Sequence, residues 1–383
     1  MSVTAAKGFT AAGTTAGIKQ KGTPDLALVV NTGPSRAAAG VFTSNRVNAA
    51  PVKWSRQVLA GGRVSAVVLN SGGANACTGP EGLQDTHATA EQVATVLGHD
   101  INQVAVCSTG LIGIRLPMDK LLPGIEKAAG ELSDEGGESA AIAIKTTDSV
   151  HKQAAVTRGG WTVGGMAKGA GMLAPGLATM LVVLTTDADV DAAVLDRALR
   201  GATRTTFDRV DSDGCMSTND TVLLLASGAS EVAPDEAEFA EAVHTVCADL
   251  ARQLIGDAEG SSKDIRIEVT GAATEDDAVE VGRTIARNNL LKCAIHGEDP
   301  NWGRVLSAIG TTSATFDPDE LNVAINDVWV CKKGSVGEDR TLVTMQGREV
   351  RITADLAAGS ESAVIWANDL TAEYVHENSE YAS

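Results

Sequence analysis

The sequence predicts a fold of the α/β class (α/β or α+β) with a large hydrophobic core. Apolar runs of strand length alternate with segments of helical periodicity, and hydrophobic residues make up 44% of the 383 residues. A chain of this size and composition can bury one large core or the cores of two lobes. Aromatic residues contribute only 3%, so the core must consist mainly of Ala, Val, Leu and Ile.

Short segments with two different patterns predict the β-strands. Continuous apolar runs are typical of strands buried on both faces, whereas alternation of apolar and polar residues is typical of half-exposed strands. Buried strands are predicted at residues 26–30, 64–69, 104–107, 180–184 and 221–225. Half-exposed strands are predicted at residues 264–269, 321–325 and 349–354.

Periodicity also predicts helices. The clearest follows Pro234, because apolar residues three and four positions apart form one face. That face comprises Phe239, Val243, Val246, Cys247, Leu250 and Leu254. Further helices are predicted at 191–204 and after Thr86. The interval 226–235 is the expected link between two lobes, with the second lobe starting near residue 230.

The chain is acidic, with a formal net charge of -18 and a pI near 4.7. Such a surface repels phosphate groups, which argues against nucleic acids and anionic membranes as partners. The charge either favours a cationic small molecule or serves only solubility. Neither an apolar run of the ~20 residues that span a bilayer nor a signal-peptide core is evident, so we expect a cytoplasmic protein.

Common site signatures are not met. The six cysteines contain no C-x-x-C pair, so we expect reduced, buried thiols rather than disulfides or a zinc site. P-loop spacing, H-E-x-x-H and G-x-S-x-G are absent, and no metal site is predicted. Residues 169–174 fit a loose dinucleotide pattern, but no helix follows them. His296 could act as an acid or base, but it is expected to be a hydrogen-bonded structural residue.

The most informative segment is a glycine-rich loop, residues 168–178, which leads through Thr179 into the apolar run 180–184. If the Ala178–Thr179 bond were cut, Thr179 would carry both a nucleophilic hydroxyl and a free α-amine. An α-amine titrates near pH ~8, so it can act as the hydroxyl's own base. Taken alone, the segment is better explained as an ordinary loop before a strand, because glycine-rich loops commonly precede strands and threonine is common in strands.

Other candidate groups are also ambiguous when taken alone. Thr109 and Gly110 follow the run 104–107, at a strand-to-turn corner where backbone N–H groups can bind an oxyanion or simply form a turn. Lys168 could hold a substrate carboxylate or lie solvated on the surface. Glu259 could pair with a substrate amine or be a loop carboxylate.

Segments in one order along the whole chain resemble the ornithine acetyltransferase family, also called glutamate N-acetyltransferase or ArgJ. Residues 161–181 closely resemble that family's self-cleavage segment. The other matching segments are 40–45 with 49–51, 70–79, 108–113, 145–148, 217–221, 299–304, 369–371 and 378–383. The resemblance covers essentially the entire sequence.

The resemblance implies a layered α-β-β-α arrangement with the nucleophile's strand at its centre. It implies self-cleavage between Ala178 and Thr179 into an α chain, 1–178, and a β chain, 179–383, which assemble as an α2β2 heterotetramer. The implied reaction transfers acetyl from N2-acetyl-L-ornithine to L-glutamate in the cyclic pathway of arginine biosynthesis. No cofactor is required. Whether acetyl-CoA also serves as an acetyl donor stays open, because some family members are bifunctional.

The resemblance also assigns residues to roles. Thr179 is the implied nucleophile, which forms an acetyl-threonine intermediate, and Thr109 with Gly110 forms the implied oxyanion hole. The residues implied in substrate binding, besides the nucleophile, are Thr146, Lys168, Glu259, Asn378 and Ser383. The choice of Thr146 over Thr147 is not settled by the match. A role for the last residues requires the C-terminal tail to fold back.

Two other functions are consistent with the same residues. A self-processing amidohydrolase or aminopeptidase would use the same threonine but accept water as the acyl acceptor. A non-catalytic metabolite-binding or scaffold protein would keep the fold, remain uncut and form no acyl-enzyme. Consumption of acetylornithine without glutamate would indicate the hydrolase.

Overall fold

The computed structural model of the chain describes residues 2–174 and 180–380. Its helices are α1 Ala50–Leu59, α2 Gly79–Leu97, α3 Met118–Gly130, α4 Gly137–Ala143, α5 Ala192–Thr205, α6 Glu236–Gly256, α7 Glu275–Ala286, α8 Asn289–His296, α9 Trp302–Ile309 and α10 Ala372–Glu380. Its strands are β1 Phe9–Thr14, β2 Leu26–Asn31, β3 Ala38–Phe42, β4 Ala66–Ser71, β5 Val104–Thr109, β6 Lys152–Arg158, β7 Trp161–Lys168, β8 Leu181–Thr186, β9 Thr221–Ala226, β10 Asp264–Ala272, β11 Asn322–Ile325, β12 Val328–Lys332, β13 Ser335–Val336, β14 Glu349–Asp355 and β15 Glu361–Asn368.

The described residues form two compact units. The first contains residues up to Asp208 together with Cys215–Asp257, and the second contains Arg209–Gly214 and the residues from Ala258 onward. We expected a second lobe from about residue 230, but α6 packs against β6 and β7 of the first unit. The reason is its continuous apolar face, which is buried from Phe239 to Ile255.

The first unit contains two sheets. One has the order β1-β2-β4-β5, and the other has the order β3-β9-β8-β7-β6. Strand β8, which the glycine-rich loop was expected to precede, is therefore the middle strand of five. It pairs antiparallel with β7 and parallel with β9.

The two sheets are layered between helices. Val29 and Leu69 of one sheet share a buried core with Val183 and Leu223 of the other. The outer face of the first sheet packs against α2 and α3, through Val93 among others. The second sheet contacts α5 and α6. These contacts confirm the α-β-β-α layering and the central position of the strand after Thr179.

The second unit is built on one sheet with the order β13-β12-β11-β14-β10-β15. In β10, Ile265, Ile267 and Val269 are buried, while the residues between them are partly exposed. The buried side packs against α7 and α9. The predicted half-exposed strands at 264–269 and 349–354 are confirmed, because alternation directs one set of side chains to the core and the other toward solvent. The strand predicted at 321–325 forms as β11, but it is not half-exposed, because Val323, Ala324 and Ile325 are all buried.

Three further expectations concern His296, the cysteines and a membrane-spanning segment. His296 is hydrogen-bonded as expected, with its Nδ1 3.0 Å from Asp369 Oδ2. The expectation that the cysteines are buried is wrong for Cys77, Cys215 and Cys293, which are exposed because they lie in a loop or on a helix surface. Among the helices that the structure describes, none combines the length and apolar character needed to cross a membrane.

Candidate active site

Strand pairing brings the candidate residues of the first unit to the start of β8. Lys168, the last residue of β7, lies opposite Leu181, and Leu181 also lies opposite Thr221 of β9. Lys168 and the residue before β9, Asp220, therefore flank the beginning of the central strand on its two sides. Ala178 and Thr179, the expected cleavage site and nucleophile, lie outside the described residues.

Thr109 and Gly110 form a tight, buried corner at the end of β5. The Thr109 carbonyl oxygen accepts hydrogen bonds from the Gly72 and Gly73 N–H groups, at 2.9 and 3.0 Å. Gly110 has a φ of +128°, and a Cβ there would lie 2.5 Å from Gly73 N. Only glycine fits such a corner. The pair therefore lies at a tight turn where β5 ends. This position is compatible with the expected oxyanion role, which stays a prediction.

Lys168 is buried rather than solvated. Its side chain is 2% exposed, and its Nζ donates to the Thr109 hydroxyl oxygen at 3.3 Å. This contact brings the expected carboxylate-binding group and the expected oxyanion corner together. Burial of a lysine is costly unless anionic groups compensate it, so a nearby carboxylate is required.

Asp148 supplies that negative charge. Its Oδ1 accepts from Lys152 Nζ at 2.7 Å and from the Gly169 N–H at 2.6 Å, while its Oδ2 accepts from the Thr146 N–H at 3.0 Å. Burial opposes ionisation, but the charges of Lys168 and Lys152 and these hydrogen bonds hold the Asp148 pKa well below its ordinary value. One carboxylate thus fixes both the Thr146 turn and the start of the glycine-rich loop.

Sequence reasoning missed this network. Lys152 is completely buried and also bonds Asp257 Oδ2 at 2.6 Å, so it lies between two carboxylates. The only local signal was the four-residue spacing of Asp148 and Lys152, which is ordinary for exposed charge pairs. Thr146 is placed by its backbone N–H, and the choice between Thr146 and Thr147 as the substrate contact stays a prediction.

If Lys168 holds the substrate carboxylate, as the resemblance implies, removal of its charge should weaken substrate binding. A hydrogen bond to a charged group contributes about 1.5–3 kcal/mol, so Lys168→Met is expected to raise the KM for acetylornithine about tenfold or more. Steady-state kinetics at pH 7 measures this change. The control is Lys53→Met, on the exposed side of α1. An unchanged KM in Lys168→Met would exclude Lys168 from substrate binding.

A second missed segment lies just before β9. The Asn219 side-chain amide donates to the carbonyl oxygens of Ala74 and Ser108, at 2.6 and 2.8 Å, and so fixes this segment to the end of β5. The next residue, Asp220, is 0% exposed and accepts the Met180 N–H at 3.0 Å. Sequence reasoning used 217–221 only as a matching segment.

Two of the remaining expected substrate residues, Glu259 and Asn378, belong to the second unit. The tail folds back as α10, and the Asn378 side-chain amide donates to Glu259 Oε2 at 3.1 Å. Gly260, with a φ of +59°, lets the backbone at Tyr374 approach closely. The structure thus brings Glu259 and Asn378 together, whereas Ser383 lies outside the described residues. Their roles with substrate stay predictions.

The first unit is therefore a layered α-β-β-α unit with a buried lysine–carboxylate network at the start of its central strand. A model of the ArgJ family matches residues 10–383. The chain is 79% identical to the arginine biosynthesis bifunctional protein ArgJ of Streptomyces avermitilis and 78% identical to that of Streptomyces coelicolor, each over 383 residues and 100% of both chains. This chain belongs to the ArgJ family, and the resemblance seen in the sequence is confirmed.

The chain is also similar to a protein of known structure. The crystal structure of an ornithine acetyltransferase complexed with ornithine, from Mycobacterium tuberculosis, is 60% identical to this chain with a TM-score of 0.45. The match covers 47% of this chain and 96% of that chain.

Proposed function

We propose that this chain is an acyltransferase that moves the acetyl group of N2-acetyl-L-ornithine to L-glutamate through an acetyl ester on Thr179. The observation that carries the proposal is the contact between the Thr109–Gly110 corner and buried Lys168 at the start of β8, which begins two residues after Thr179 in the sequence. Acyl transfer needs a nucleophile, donors for an oxyanion and a cation for the substrate carboxylate, and this end of β8 can supply all three.

The nucleophile is made by self-cleavage. The Thr179 hydroxyl attacks the Ala178 carbonyl carbon, the peptide C–N bond breaks, and water hydrolyses the resulting ester. Thr179 then begins a new chain, 179–383, and its free α-amine serves as base for its own hydroxyl.

Acetyl transfer proceeds in two halves. Thr179 Oγ1 attacks the acetyl carbonyl, and Thr109 with Gly110 stabilises the oxyanion that forms. Ornithine takes a proton and leaves, and the acetyl group remains on Thr179. Glutamate then attacks the ester and departs as N-acetylglutamate. Lys168, Thr146, Glu259, Asn378 and Ser383 hold the amino-acid groups during both halves.

Several finer properties belong to the same proposal. The relatives are named arginine biosynthesis bifunctional proteins, which supports a second activity. We propose that this second activity is N-acetylglutamate synthesis with acetyl-CoA as the acetyl donor. The reaction itself requires no cofactor. We propose that the α chain, 1–178, and the β chain, 179–383, assemble as an α2β2 heterotetramer in the cytoplasm, with small amino-acid substrates as ligands.

The kinetics of transfer test the covalent route. Because ornithine leaves before glutamate reacts, double-reciprocal plots at several glutamate concentrations are expected to be parallel. Intersecting lines would contradict the acetyl-threonine intermediate. Incubation with acetylornithine alone is the matched control. Continuous release of ornithine without glutamate would instead identify a self-processing amidohydrolase.

A further inference from the structure

Asp220 is a buried carboxyl group at the start of the central strand. It is 0% exposed, and its Oδ1 accepts the N–H of Met180 at 3.0 Å. Met180 N is the nitrogen of the Thr179–Met180 peptide bond. Asp220 is therefore hydrogen-bonded to the N–H group that directly follows the proposed nucleophile in the sequence.

The second carboxyl oxygen of Asp220 also lies in the protein interior. Asp220 Oδ2 is buried and has no hydrogen-bond partner among the residues that the structure describes. A buried polar atom without a partner is costly, so its presence needs a reason. The other buried carboxyl group beside β8, Asp187, differs in this respect, because it accepts the N–H groups of Lys7 and Thr162 with its two oxygens.

The surroundings favour the neutral acid. Burial raises the pKa of Asp220 well above its ordinary value, and the hydrogen bond from the Met180 N–H opposes that rise only in part. The charged groups that influence Asp220 are Lys168, which lowers its pKa, and Asp208, which raises it. A raised pKa favours the protonated form of a carboxyl group, which can donate a proton.

We propose that Asp220 is the proton-transfer residue of self-cleavage, with Oδ2 as the exchanging atom. The inference rests on the proposed function. As the Thr179 Oγ1–C bond forms and the Ala178 C–N bond breaks, Asp220 gives its proton to the leaving Thr179 nitrogen and regains one from the attacking hydroxyl. Water then hydrolyses the ester, so the carboxyl group ends as it began.

The test follows cleavage of the full chain after cell-free synthesis, by intact mass at several pH values. Asp220→Asn keeps an acceptor for the Met180 N–H but cannot exchange a proton. We expect it to cleave about a hundredfold or more slowly, since general acid–base catalysis contributes about 10²–10⁴-fold. Asp187→Asn, a buried carboxyl change at the other end of β8, is the matched control and should cleave at nearly the wild-type rate.

A pH profile separates proton transfer from a structural role. The wild-type rate should fall as pH rises through the Asp220 pKa. Asp208→Asn removes a negative charge that raises this pKa, so the fall should move to lower pH. This variant also serves if Asp220→Asn fails to fold. An unmoved profile in Asp208→Asn, or cleavage of Asp220→Asn at the rate of Asp187→Asn, would overturn the inference alone. A wild-type chain that never cleaves would overturn the proposed function.

Discussion

Thr179→Ala is expected to yield one uncut chain with no measurable acetyltransferase activity. The substitution removes the hydroxyl that attacks the Ala178 carbonyl, so no cleavage can follow. Without cleavage Thr179 has no free α-amine, and without the hydroxyl no acetyl ester can form. Loss of a nucleophile commonly costs many orders of magnitude in rate. Intact mass and an assay of acetyl transfer measure both losses on one preparation.

Two variants control this result. Thr179→Ser keeps the hydroxyl and should still cleave and transfer acetyl, although less well, because serine lacks the β-branch that restricts χ1. Thr205→Ala removes an exposed threonine of α5 and should behave as wild type. Acetyl transfer that survives in Thr179→Ala would place the nucleophile elsewhere in the chain.

Asp148→Ala is expected to lower the free energy of unfolding by about 3–5 kcal/mol at pH 7, as is typical when one partner of a buried ion pair is removed. Asp148 and Lys152 have fully buried side chains, and Lys168 is buried nearby. The variant leaves buried ammonium groups short of negative charge. It also removes the acceptor of the hydrogen bonds from the Thr146 and Gly169 N–H groups. Urea denaturation of the variant and wild type measures the difference.

The control for Asp148→Ala is an exposed pair of the same spacing. Asp196 and Arg200 are 44% and 62% exposed, so Asp196→Ala should change stability by less than about 1 kcal/mol. The pH dependence gives a second check. Because the folded-state pKa of Asp148 is depressed, its stabilisation is present above the unfolded value of 3.8 and is lost as pH falls below it. Equal free energies of unfolding for wild type and Asp148→Ala at pH 7 would contradict the stabilising role of Asp148 beside the buried lysines.

The fold could be predicted where local pattern and tertiary environment agree. The apolar run 180–184 predicted a buried strand, and β8 is fully buried in the middle of its sheet. Strand β7 was not predicted, because Gly164 and Gly165 weaken a strand pattern. These glycines are needed for packing: a Cβ on Gly164 would collide with the backbone of Ser2, and one on Gly165 would crowd Leu184.

The candidate site could be predicted only in part. The resemblance named Lys168, but its sequence context favoured a solvated side chain. Its burial depends on Asp148, and the second partner of Lys152, Asp257, lies 105 residues away in the sequence. Asp220 gave no local signal either, because an acidic residue before a strand is usually exposed. Contacts between distant segments determine the charge state of these groups, and no short pattern encodes them.

The intact mass of freshly purified protein tests the central claim most directly. We predict two fragments that meet at the Ala178–Thr179 bond, the second beginning with a free threonine amine. A single chain of 39.3 kDa that stays uncut on prolonged incubation would contradict the account, because Thr179 would then be only a residue that precedes a strand.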